Sequence, residues 1–120
     1  MKLLLVDDST TMRRIQKTQL AGMGVTNVDE AGNGEEALAK LAVASYDIIL
    51  LDWNMPVMDG IALLRKIRQN SSYSKIKVVM CTSESEKSKV IEALKAGANN
   101  YIVKPFTPEA LKEKLSTLGS

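Results

Sequence analysis

The chain has 120 residues, 45% hydrophobic and 25% charged, the size and balance of one water-soluble domain that folds without disulfides or a structural metal. A net charge of +2, with 16 Lys and Arg scattered and no basic run, argues against a nucleic-acid binder. A lone cysteine, Cys81, rules out an internal disulfide, and no apolar stretch approaches the ~20 residues of a membrane span.

Asp7 and Asp8 interrupt the apolar start too early for a signal peptide, so the expectation is one cytoplasmic domain over residues 1–120. Leu3–Val6 reads as a first strand, followed by a helical stripe of Met12, Ile15, Gln19, Leu20 and Met23 that Gly22 and Gly24 end. Val25–Asp29 is a second strand whose more alternating pattern suits a position near the sheet edge. After the Asn33-Gly34 turn, Ala37, Leu38, Leu41 and Ala42 form a second helical stripe, and Ile48–Leu51 a third strand. Ile61, Leu64 and Ile67 mark a third helix, the polar connection Asn70–Lys75 leads to strand Ile76–Cys81, and Val90, Ile91 and Leu94 mark a fourth helix stopping at Gly97. Tyr101–Val103 is the fifth strand. Thr107-Pro108-Glu109 opens a last helix of Leu111, Leu115 and Leu118, with Thr107 as N-cap and Pro108 at the first helical position.

Strand and helix alternate strictly. Runs one, three and four are nearly continuously apolar, as strands buried on both faces are. The pattern predicts an α/β doubly wound (βα)5 fold with a parallel five-stranded sheet; with the order 2-1-3-4-5, the flavodoxin-like one, the ends of strands one, three, four and five are neighbours. The stripes are expected to face the core.

Sites in open parallel sheets form beyond the carboxyl ends of the strands. There the sequence places Asp7-Asp8, Asp52, Thr82 and Lys104. Taken singly, each has a bland reading: a solvated turn, a strand terminator, a surface charge. Asp52 resists it, because it follows the buried run Ile48–Leu51, and jointly the bland readings require four coincidences at adjacent strand ends. Three carboxylates in one crevice repel, at roughly 4 kcal/mol per pair for ~4 Å and an effective dielectric of ~20. Such a site takes up a cation or holds protons. Carboxylates suit Mg²⁺, which keeps positions open for phosphate oxygens. With a lysine, a hydroxyl and a carboxylate nucleophile, these are the parts of a phosphoryl-transfer site.

These residues resemble the receiver domains of two-component response regulators over essentially the whole chain. The resemblance rests on Asp7-Asp8, on Leu51 to Gly60 around Asp52, on Thr82-Ser83, and on Lys95 to Ala98 leading to Tyr101 to Phe106. Met12 to Ile15, Asp52 to Pro56, Tyr101 and Lys104 to Thr107 are most similar to the CheY-like chemotaxis receivers.

The resemblance implies that Asp52 takes a phosphoryl group from a phosphohistidine of a sensor histidine kinase (CheA-like). It implies one Mg²⁺ held by Asp8, Asp52 and the Asn54 carbonyl, with Asp7 helping through water. Thr82 and Lys104 contact phosphoryl oxygens. Thr82 and Tyr101 switch the face of helix four, strand five and helix five toward a flagellar motor switch protein or another output partner. Asn54 and Glu84 flank the path of attacking water and tune self-dephosphorylation, beside a possible phosphatase. Lys87, Lys89, Lys112 and Lys114 either frame the switching face or are solvated surface. Ser9 and Ser83 depart from bulkier and smaller residues respectively at the site's entry, and Cys81 reads as packing. The chain is thus expected to be a phosphoacceptor switch that assists its own chemistry, not an enzyme, with neither nucleic acid nor membrane as partner.

Other functions were weighed. A haloacid dehalogenase-type phosphohydrolase needs a second aspartate two residues after the first, where Ser9 stands. A flavodoxin-like flavin binder would put phosphate against Asp7-Asp8. A phosphorelay single-domain receiver, or a receiver excised from a larger regulator, stays open.

Overall fold

The computed structural model describes residues 2–55, 58–82, 87–104 and 106–117, with the side chain of Lys87 excepted. Five strands, β1 (Leu3–Val6), β2 (Val28–Ala31), β3 (Ile48–Asp52), β4 (Lys77–Thr82) and β5 (Asn100–Val103), alternate with helices α1 (Thr10–Gly22), α2 (Gly34–Val43), α3 (Gly60–Gln69), α4 (Lys87–Ala96) and α5 (Pro108–Ser116). The strands pair in parallel, as the alternation predicts, in the expected order 2-1-3-4-5.

Side-chain parity sorts the core into two layers. Leu4, Val6, Ile49, Leu51, Val78 and Met80 pack with Ala37 and Leu41 of α2, Ile61, Leu64 and Ile67 of α3, and Ala93 of α4. Leu3, Leu5, Ile48, Leu50, Val79, Cys81 and Ile102 pack with Leu20 of α1 and with Leu111 and Leu115 of α5. Each fully buried Leu or Ile contributes about 1.5–3 kcal/mol through apolar surface removed from water. Among the described residues, no helix is long and apolar enough to cross a membrane.

Four expectations shift. The second strand begins at Val28, not Val25, because the chain is still closing α1: Val25 N–H donates to Leu20 O at 2.9 Å and Gly24 takes φ 85°. β2 is an edge strand, as its alternation suggested. On α1, Gln16 and Leu20 are buried while Ile15 is 48% exposed, since the helix turns its Gln16 side to the sheet. On α2, Ala42 is exposed. On α4 Ala93 is buried in the core, and Ile91 and Leu94 lie 41% and 45% exposed, since the helix turns its Ala93 side inward. Leu118 lies outside the described residues. The connection Asn70–Lys75 holds a single 3-10 turn, Ser71–Tyr73.

Local signals place the helix starts. The side chains of Ser9, Asn33, Asp59 and Thr107 accept from Met12, Glu36, Ala62 and Ala110 N–H groups, each capping a helix. Arg68 of α3 donates to the carbonyls of Tyr73, Ile76 and Gly97 and to Asn99 Oδ1, tying the ends of α3 and α4 to the start of β4. Burial holds its pKa below the ordinary arginine value. Tyr46, just before β3, donates to Asp29 of β2 at 2.6 Å. Burial first, and then Asp29, push the Tyr46 hydroxyl up to about 12.

Two outcomes follow from this packing. A Cβ at Gly60 would stand 2.2 Å from Asp52 O and 2.8 Å from Trp53 Cα, so only glycine lets α3 begin against the end of β3. Gly60→Ala is expected to cost about 1–3 kcal/mol in denaturant unfolding and to displace the Asp52 backbone; a variant of parental stability would contradict this contact. The protonated Tyr46 hydroxyl is the stabilising form and its folded pKa lies above the usual value of 10.0. Its stabilisation is therefore complete below pH 10 and lost as pH climbs through about 12. Tyr46→Phe should be less stable than the parent by about 1–2 kcal/mol at neutral pH. Unfolding midpoints across alkaline pH should show that difference shrinking.

Candidate functional site

Four adjacent strand ends build one rim. β1 runs into Asp7 and Asp8, β3 ends on Asp52, β4 ends on Thr82, and β5 is followed by Lys104. The parity that turns Leu5, Leu50 and Ile102 toward α1 and α5 turns Asp7, Asp52 and Lys104 the same way. Lys104 is anchored through its backbone, its N–H donating to Thr82 O at 2.7 Å. Its ammonium donates to Asp7 Oδ2 and to Asp52 Oδ1, both at 2.9 Å. The lysine side chain is 14% exposed, and the two carboxylate side chains 3% and 8%.

Asp52 is held from both sides of its strand end. Trp53 N–H donates to Cys81 O at 2.9 Å, and Trp53 O accepts from Gly60 N–H at 2.8 Å. The Trp53 ring is buried, with the Lys89 ammonium of α4 lying 5.1 Å from its centroid. This cation–π contact covers the aromatic neighbour of Asp52.

The site carries excess negative charge. Asp7, Asp8 and Asp52 each offer an oxygen within 4.8 Å of the others. Burial raises the Asp52 pKa, Lys104 opposes that rise through its hydrogen bond and charge, and the charges of Asp7 and Asp8 add to it. Burial would depress Lys104, but its bonds to Asp52 and Asp7 prevail and raise it, so the ammonium stays charged. One ammonium against three carboxylates leaves the cluster short of positive charge.

The two members of the acid pair differ. Asp7 is committed, with Oδ1 accepting from Ser9 N–H at 2.9 Å and Oδ2 from Lys104. Asp8 is exposed, and among the described residues no hydrogen bond holds its carboxylate. A hard-oxygen donor set that is partly buried and open at Asp8 fits a divalent cation of the alkaline-earth type, and it offers no nitrogen or sulfur ligand.

The remaining expected residues are distributed as follows. Thr82 is 3% exposed at the end of β4. Asn54 is exposed, two residues beyond Asp52. Tyr101, half-buried on β5, lies beneath the Lys114 ammonium at 4.8 Å from its ring centroid. Lys89 and Lys114 are therefore aromatic caps rather than freely solvated charges, while Lys112 is exposed. Glu84 and Ser83 lie outside the described residues. Cys81 is buried, and desolvation pushes its thiol beyond the reach of physiological pH, in keeping with a packing role.

Sequence reasoning missed Arg13. Its Nη1 donates to the Asp7 carbonyl and its Nε to Glu30 Oε1 at 3.0 Å. No local pattern announces that link, because Glu30 reaches Arg13 only once β2 pairs with β1.

The model of the response regulator receiver domain matches residues 3–116. The chemotaxis protein CheY1 of Helicobacter pylori strain 26695 is 54% identical over 119 residues, covering 98% of this chain and 96% of that protein. The chemotaxis protein CheY homolog of Campylobacter jejuni strain 81-176 is 52% identical over 116 residues, covering 96% and 89%. Among solved structures, the chemotaxis response regulator CheY4 of Vibrio cholerae superposes with a TM-score of 0.90 at 38% identity, covering 98% of this chain and 97% of that one. The rim of acids, hydroxyl and lysine thus sits in the sequence and fold of known receivers, and the chain belongs to the response regulator receiver domain family.

Proposed function

We propose that this chain is a phosphorylation-activated chemotaxis switch whose acceptor is Asp52. The observation that carries this reading is the single ammonium of Lys104 shared at 2.9 Å between Asp7 and Asp52 inside a three-carboxylate cluster. It leaves one carboxylate ion-paired yet flanked by excess negative charge, at the strand-end rim where ligands of such sheets bind. The chemotaxis assignment is supported by relatives of that name at about half identity over nearly the full chain.

In this reading an Asp52 oxygen attacks the phosphorus of a phosphohistidine on a sensor histidine kinase. The O–P bond forms as the N–P bond to the imidazole breaks, and the imidazole nitrogen keeps the electron pair. Asp8, Asp52 and the Asn54 carbonyl would hold Mg²⁺, with Asp7 in support through water, and the ion would supply charge neutralisation for the phosphoryl oxygens. Lys104, positioned by its bond to Thr82 O, pairs with one phosphoryl oxygen, and the Thr82 hydroxyl donates to another. Asp7 keeps Lys104 aimed inward once Asp52 is esterified.

The chain turns over no separate substrate; it is an acceptor that assists its own phosphorylation and hydrolysis. Thr82 moving to the phosphoryl group frees room for Tyr101, which biases the face of α4, β5 and α5 between two states. The exposed Leu94 of α4 offers apolar area to an output partner such as a flagellar motor switch protein. Asn54, small, polar and exposed, admits water in line with the Asp52–phosphorus bond, which makes the signal transient. The cytoplasm, where such kinases present their phosphohistidine, is the compartment this reading requires.

Asp52→Asn should reduce labelling by acetyl phosphate to background, since an amide is no nucleophile. Acid-stable, base-labile phosphate on that variant at parental stoichiometry would identify another acceptor. Lys104→Met should still take up phosphoryl groups, more slowly. Its affinity for the output partner should rise far less on beryllofluoride activation than the parent's. Equal gains in both proteins would remove Lys104 from the switching role.

A further inference from the structure

Asp7 is held at its main chain as well as at its carboxylate. Its N–H donates to Ala31 O at 3.1 Å, and its carbonyl accepts from Arg13 Nη1 of α1. The guanidinium is itself braced. Nε donates to Glu30 Oε1 at 3.0 Å, and Lys17 of α1 holds the other Glu30 oxygen at 3.2 Å. Glu30 stands on β2 in register with Leu5, two residues before Asp7. The Arg13 side chain is 16% exposed, so this is a partly desolvated fork rather than a loose surface pair. A guanidinium suits the place because it is planar and donates in two fixed directions, toward a carboxylate and a carbonyl at once. Glu30 stays ionised there: burial acts to raise its pKa, but Lys17 and Arg13 prevail and lower it.

The carbonyl that Arg13 grips belongs to the peptide joining Asp7 to Asp8. The Asp8 carboxylate has no hydrogen bond of its own among the described residues, so the peptide that carries it is the fixed point from which the side chain reaches the cluster. We infer that Arg13, braced by Glu30 and Lys17, is a positioning residue for the acid pair, fixing the Asp7–Asp8 peptide so that the Asp8 carboxylate faces Asp52 across the cation site. This rests on the reading of Asp8 as a direct cation ligand. Arg13 touches neither the cation nor the phosphoryl group.

The sign of its effect separates positioning from plain electrostatics. Arg13 carries a positive charge close to the acids, and removing that charge alone would tighten the binding of a cation. Removing an orienting group weakens it, and losing such a support to a metal ligand typically costs 10- to 100-fold in affinity.

The test is titration of the purified full chain with Mg²⁺, followed by Trp53 fluorescence, for the parent, Arg13→Met, Arg13→Lys, Glu30→Gln and Asp8→Ala. Thermal unfolding without Mg²⁺ is measured alongside. Arg13→Met is expected to bind Mg²⁺ about tenfold more weakly than the parent. Arg13→Lys should be weakened to a similar degree, because an ammonium restores the charge but not the fork. Glu30→Gln, which keeps Arg13 but loosens its brace, should fall between them and the parent, and the charge-conserving Arg13→Lys carries the test if Arg13→Met does not fold. Mg²⁺ binding as tight as the parent's, or tighter, in the folded Arg13 or Glu30 variants overturns the positioning role while leaving the site intact. A parent that shows no Mg²⁺ response, or one unchanged by Asp8→Ala, overturns the reading of the acid pair and this inference with it.

Discussion

The structure turns on one lysine lying between two buried carboxylates. Asp7 and Asp52 end neighbouring strands, and without Lys104 their buried charges would face each other with Asp8 close by. The ammonium at 2.9 Å from each makes the arrangement tolerable. Breaking such a pair from one side is costly, since it strands a buried charge. The compensation is incomplete, however, because one positive charge faces three acids. That residual deficit suits the rim to a cation, as a cluster of three carboxylates that could hold one. The feature that strains the resting fold is the one that suits it to chemistry.

Around that pair, precision comes from backbone rather than side-chain chemistry. Gly60 lets α3 start against the Asp52 carbonyl, and Trp53 is bonded to β4 on one side and to α3 on the other. Lys104 is tied to Thr82 through a main-chain bond, so the lysine and the hydroxyl are carried by one pair of strands. Asp7 is fixed through its own carbonyl by Arg13. Polar groups on strand ends have few backbone freedoms left, which preorganises the rim.

Two cation–π contacts extend outward from this centre. Lys89 of α4 covers Trp53, next to Asp52, and Lys114 of α5 covers Tyr101 of β5. Each contact joins a helix to an aromatic ring of the sheet side and is worth roughly 0.5–2 kcal/mol.

Much of this was legible in the sequence for a simple reason: strands buried on both faces must be continuously apolar, and helices must turn a stripe inward. Leu3–Val6, Ile48–Leu51 and the alternation of elements sufficed to predict a parallel sheet with Asp7, Asp8, Asp52, Thr82 and Lys104 beyond its strand ends, and the order 2-1-3-4-5 brings them to one rim. Caps such as Thr107 and turns such as Gly97 were legible because they are local, set by a side chain or a φ of 110°. Tertiary packing decided the rest. It made Ala93 rather than Ile91 and Leu94 the inward residue of α4, since the side a helix turns inward is settled by packing rather than by periodicity alone. It moved the start of β2 to Val28 because the end of α1 competes for Val25. Arg13, Glu30 and Lys17 became one brace only when β2 lay beside β1, since contacts between residues 17 and 13 apart depend on chain path rather than on composition.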